Sequence, residues 1–206
     1  MAGAIPARPG PEVLGVPVRD NAWFRRLGRR VALEPGTPAP DLLRVPAGDA
    51  QKILRETVRF VADIPAGSSP EVVWVQGGSE LLVHTAGIGL SCLTGQVTVS
   101  VPVGCDQVPE GARVDVPFAV GTEKAPGGLV MSTLSRPVGP AVVVDGWAQA
   151  VTAFAWEALL HLAQRLCAAS GNDSGGRPLV PAYIAAARGV LLVQPMARHR
   201  IAGQPA

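Results

Sequence analysis

From residue 71 to residue 144 the apolar positions recur with a period of two. Segments 71–76, 80–85, 96–103, 113–120, 129–134 and 141–144 each read as a short strand bounded by turn residues. Val97, Val99 and Val101 alternate with Thr98 and Ser100, the pattern of an antiparallel strand with one buried face. Gly77-Gly78, between the first two segments, predicts a tight hairpin, because a two-residue turn of this kind requires positive φ at both positions.

On either side of this region the period lengthens to that of a helix. Residues 49–63 carry Ile53, Leu54, Val58 and Val61 on one stripe, with Lys52, Arg55, Glu56 and Arg59 off it. Asp49 is placed to cap this helix, and Pro65 and Gly67 stop it. A second and longer helix is predicted over 147–169, capped by Asp145 and ended by Gly171. Trp147, Val151, Phe154, Ala155, Ala158, Leu162 and Leu166 share one of its faces, while Trp156 and Leu160 project almost oppositely. A helix that is apolar on both sides is either buried all round or seated in an interface. Residues 178–187 read as a short helix led by Pro181, and 190–194 as a final strand.

The expected fold is therefore α+β, with a mostly antiparallel sheet of six to seven strands packed by one long apolar helix and a shorter amphipathic one. Its domain spans 48–206. Residues 1–47 hold prolines at 6, 9, 11, 17, 35, 38, 40 and 46, a density that prevents long helices and predicts an extended arm.

Composition narrows the functional classes. The 206 residues suffice for one full core. The net charge of +2 does not call for nucleic acid. Cys92, Cys105 and Cys167 form no close pair, so no disulfide framework is expected. His84, His161 and His199 are isolated from one another and from any CxxC, so no metal site is expected, and the absence of GxxxxGK[ST] and GxGxxG leaves no cofactor indicated. The N-terminus lacks the apolar core of a secretory signal, and no uncharged apolar run reaches 18 residues. The expectation is a cytoplasmic protein with no membrane contact.

Several strings carry candidate chemistry. Asp173-Ser174-Gly175-Gly176-Arg177-Pro178-Leu179-Val180 resembles the nucleophile segment of trypsin-like serine proteases, which implies Ser174 as a nucleophile. Arg177 interrupts that pattern, and no histidine stands in the context that would activate the serine. A Cys-His pair, Cys92 or Cys105 with His84, is the other hydrolase arrangement, provided that the fold brings them together. Glu157, His161 and Arg165 stand at i, i+4 and i+8 and read as a solvated stripe with modest pairing. Leu81-Leu82-Val83-His84-Thr85-Ala86-Gly87-Ile88-Gly89-Leu90, following a helix and a strand, resembles the opening of a sliding-clamp domain, which implies association with nucleic acid.

The leading functional candidate is the basic-aromatic cluster Trp23, Phe24, Arg25, Arg26, Arg29 and Arg30 within the arm. Its arginines suit an acidic groove on a protein, with the two aromatics as anchors, or phosphates with Trp23 stacked on a base. A third option is packing of the arm onto its own domain. With the whole chain almost neutral, docking to protein ranks first, packing in the same chain second and nucleic acid third. Together with Trp156 and Leu160 on the long helix, the cluster gives two contact surfaces. The expected function is a non-enzymatic interaction or assembly protein, a homo-oligomer or a subunit in a virion or other multi-subunit complex whose neighbours clasp one another.

Overall fold

A computed structural model describes residues 18–19, 42–173 and 175–197. The chain order is β1 (Val18–Arg19), β2 (Leu43–Pro46), α1 (Ala47–Val61), β3 (Glu71–Gln76), β4 (Ser79–His84), a single 3-10 turn at Thr85–Gly87, β5 (Gly89–Leu93), β6 (Gln96–Gly104), β7 (Arg113–Ala119), α2 (Ala141–Ala169), β8 (Leu179–Ala187) and β9 (Val190–Ala197). This is the expected α+β class.

Six strands form one sheet in the order β1-β3-β4-β6-β5, with β7 on the other edge of β6. All pairs are antiparallel except β1 with β3, where Val18 lies beside Val73 and Arg19 beside Trp74. The predicted Gly77-Gly78 hairpin forms. Gln76 pairs with Ser79, and both glycines take positive φ, 58° and 82°.

A second sheet, β2-β9-β8, abuts the first. The join is made by backbone hydrogen bonds from Gly95 N to Ala186 O, Gly121 N to Ile184 O, Ala186 N to Gly121 O and Gly189 N to Cys92 O, all between 2.9 and 3.1 Å. At this seam the loop after β7 folds back on itself. A Cβ on Gly121 would lie 2.0 Å from the nitrogen of Gly127, so no other residue fits there without backbone movement.

The core lies around α2, which packs against α1 and against β6, β7, β8 and β9. Phe154 meets Trp74 edge-on with ring centroids 5.2 Å apart, and Trp147 lies against the same Trp74. Trp156, on the opposite side of the helix, packs on Phe118 of β7 at 5.2 Å. Only 8% of Trp156 and 2% of Leu160 remain exposed. The second apolar face of the helix, expected as a contact surface, is therefore intramolecular core. Both faces meet residues of the same chain, Trp74 of β3 and Phe118 of β7, which is the buried-all-round alternative.

Four expectations for individual elements are corrected. First, α1 starts at Ala47 behind Pro46, not behind an Asp49 cap; Ala47 N donates to Gly189 O at 2.8 Å, and Asp49 pairs instead with Lys52. Second, residues 141–144 form the first turn of α2. Pro140 O accepts from both Val143 and Val144, and burial of those two valines outweighs their β propensity. Asp145 is not a cap but pairs with Arg136 at 2.7 Å.

Third, residues 179–187 are a strand. The alanines that favour a helix are held by register with β9, from Leu179 opposite Ala197 to Ala187 opposite Val190. Fourth, 129–134 is not a regular strand. It follows β7 through two isolated bridges, Asp115 with Val138 and Phe118 with Thr133. The three steps from Asp115 to Phe118 thus face five from Thr133 to Val138, and the two extra residues break the ladder. Three further strands, β1, β2 and β5, lie outside the expected ones, the first two within the predicted arm.

Candidate functional site

The stretch after β7 is rich in Pro and Gly and bears one charge, Arg136, between Lys124 and Asp145. Because it is an irregular edge, its apolar side chains do not alternate into the core. Val130, Met131, Leu134 and Val138 are exposed, Val130 to 80%, and Val142 at the start of α2 continues the strip. Scattered surface leucines and valines are ordinary, whereas five large exposed apolar side chains within residues 130–142 are a concentration of apolar surface.

Val142 also borders an open cleft of about 920 Å³. The cleft is formed by β3, the β3–β4 hairpin, the end of β6 and the first turns of α2. Val73, Leu82 and Val142 supply apolar surface, and Glu71, Glu80 and Asp106 supply carboxylates, with no lysine or arginine among the described lining residues. Glu80 and Asp106 are exposed. Glu71 is engaged, accepting from Ser69 Oγ at 3.1 Å and lying 2.9 Å from His84 Nδ1.

The hydrolase arrangements fare unevenly. His84 is oriented by Glu71, and its Nε2 faces Gly104, where a Cβ would lie 3.4 Å away. Cys105 is the next residue and is partly exposed, yet among the described residues no hydrogen bond joins it to His84. Cys92 is inside the core, where burial pushes its thiol up to about 11, so it is protonated at neutral pH. Cys167 is likewise pushed up to about 12 by burial. No group of three or more His, Cys, Asp or Glu able to hold a metal occurs among the described residues.

Ser174 lies outside the described residues, but its neighbours show what the loop does. Asp173 accepts from the backbone of Gly175 at 3.0 Å and Arg177 at 2.7 Å, and from Arg177 Nε at 2.7 Å. The Arg177 side-chain bond comes first among the causes that hold the Asp173 carboxyl below its ordinary value. Arg177, the residue that interrupts the protease-like string, is thus the partner that closes the turn.

Of the expected solvated stripe, Glu157 and His161 are taken out of solvent and Arg165 is not. Glu157 is 3% exposed and lies 3.2 Å from His161 Nε2, Phe60 of α1 stacks edge-on against His161, and the exposed Arg165 reaches Thr57 and Glu56. This polar seam locks the two helices together.

Trp23, Phe24, Arg25, Arg26, Arg29 and Arg30 lie outside the described residues, as does His199. The backbone of Val18–Arg19 does fix where the arm meets the domain, on the outer edge of β3. The sequence could have flagged Glu71 and Glu80, which flank the predicted hairpin, and the nearly uncharged run 125–144. Neither forms a recognisable motif. No helix among the described residues is long and apolar enough to cross a membrane. Comparison with known proteins finds no matching family model, no matching curated protein and no matching solved structure.

Proposed function

We propose that this chain is a non-enzymatic interaction or assembly protein that joins a second copy of itself through the apolar strip beside β7, with the N-terminal arm adding to that contact. The observation that carries the reading is the strip: Val130, Met131, Leu134, Val138 and Val142, exposed on an irregular sheet edge. Leaving such a surface in water is unfavourable, and natural proteins normally cover or interrupt it. A second copy suits it because an edge pairs with itself about a two-fold axis without any complementary chemistry. The only charge in the strip, on Arg136, is already met by Asp145, so nothing there selects a charged partner.

The test is the solution mass of the full chain by light scattering over a range of concentrations, beside the Val130→Asp/Leu134→Asp variant. The reading expects a mass above the 21.2 kDa of one chain, falling to that value in the variant while the circular dichroism is unchanged. A native protein that stays at one chain's mass throughout removes self-assembly.

A further inference from the structure

We infer that the acidic cleft seats the chain's own basic-aromatic stretch, residues 23–30. This goes beyond the assembly reading and stands without it, since a single chain suffices. The first ground is direction. β1 runs parallel to β3, so the chain leaving Arg19 beside Trp74 is aimed at Gln76 and the Gly77-Gly78 turn, which form one rim of the cleft. Trp23 follows only four residues after Arg19.

The second ground is reach. Residues 20–41 must return to β2 at Leu43, and at roughly 3.3 Å per residue they can enter the cleft and come back. The third ground is complementarity. Glu80 and Asp106 face the cleft with no partner among the described residues, while the stretch brings Arg25, Arg26, Arg29 and Arg30. Val73, Leu82 and Val142 offer apolar surface for Trp23 and Phe24. Aromatic anchors in an apolar depression with arginines at an acidic rim form a common docking pattern. Val142 belongs to both the cleft and the exposed strip, so a seated arm would extend the strip's surface.

The experiment is limited chymotrypsin digestion of the full chain, following cleavage after Trp23 and Phe24 by mass spectrometry. Native protein is compared with Glu80→Gln/Asp106→Asn, with Arg25→Gln/Arg26→Gln/Arg29→Gln/Arg30→Gln, with both sets combined, and with a free peptide of residues 20–32. Glu80 and Asp106 lie exposed on a hairpin and a loop, so those changes leave the fold intact, checked by an unchanged melting temperature. Cleavage in the native protein should be slower than in the peptide and should rise about three- to tenfold in either variant, with no further rise when they are combined. Native cleavage at the peptide's rate, or a rate indifferent to Glu80 and Asp106, overturns the proposal. Protection that vanishes on dilution to single chains would put the seat on a neighbour; it overturns seating by the same chain and leaves the assembly reading standing. Protection that persists in single chains supports the seat even if no multimer forms.

Discussion

The two helices are built to opposite plans. α1 buries Ala50, Leu54, Val58 and Val61 along one stripe and leaves Lys52, Arg55 and Glu56 to the surface. α2 is buried on every side over most of its length, and its one buried charged side chain, Glu157, sits beside His161 near α1. One helix is a lid on the core and the other is the core's axis. A helix that is apolar on both faces therefore says nothing about partners until its neighbours are known. Here the neighbours belong to the same chain, and the surface that does face water lies in an irregular loop.

The sharpest way to break this contrast is charge in the axis. Trp156→Asp with Leu160→Asp places two carboxylates in the core, and we expect loss of cooperative unfolding altogether, at a cost of more than about 5 kcal/mol. A folded double variant would show that this face is not core. Next, Phe154→Ala on α2 should cost about 3–5 kcal/mol and Leu54→Ala on α1 about 2–5 kcal/mol by chemical denaturation. The first should exceed the second, because Phe154 also supports Trp74.

The polar seam between the helices gives a smaller effect. His161→Ala leaves the buried Glu157 without its imidazole partner and should cost about 1–3 kcal/mol, whereas Glu157→Leu/His161→Leu should recover most of that loss. A double variant no better than the single one would refute the pairing.

The cysteines give the mildest probe. Cys92 and Cys167 are protonated in the fold up to about 11 and about 12, against an ordinary value of 9.0. Above pH 9 the unfolded chain sheds protons that the folded chain retains, so stability should be unaffected by these thiols below pH 9 and fall as pH rises from there towards 11 and 12. At pH 8 a thiol reagent should label Cys105 alone in the folded protein, with Cys92 and Cys167 reacting only on unfolding.

Much of this fold was legible in the sequence because its signals were local. The alternation of Val97, Val99 and Val101, the Gly77-Gly78 turn and the single stripe of α1 each specify their element with little help from elsewhere. What failed depended on distant partners. Ala185 to Ala187 favour a helix until β9 supplies register, and Val143 and Val144 favour a strand until burial draws them into the first turn of α2. The cleft was less legible still. Glu71, Glu80 and Asp106 come from separate segments and meet only through the pairing of β3, β4 and β6.

The central claim is that α2 is the core of each chain and that contacts between chains are made elsewhere. Hydrogen exchange by mass spectrometry on the full chain, run at high and low concentration, tests it most directly. The account predicts that peptides spanning 150–166 exchange equally slowly at both concentrations, while 129–142 gains exchange on dilution. Loss of protection around Trp156 and Leu160 on dilution, with 129–142 unchanged, would place the interface on the long helix and contradict it.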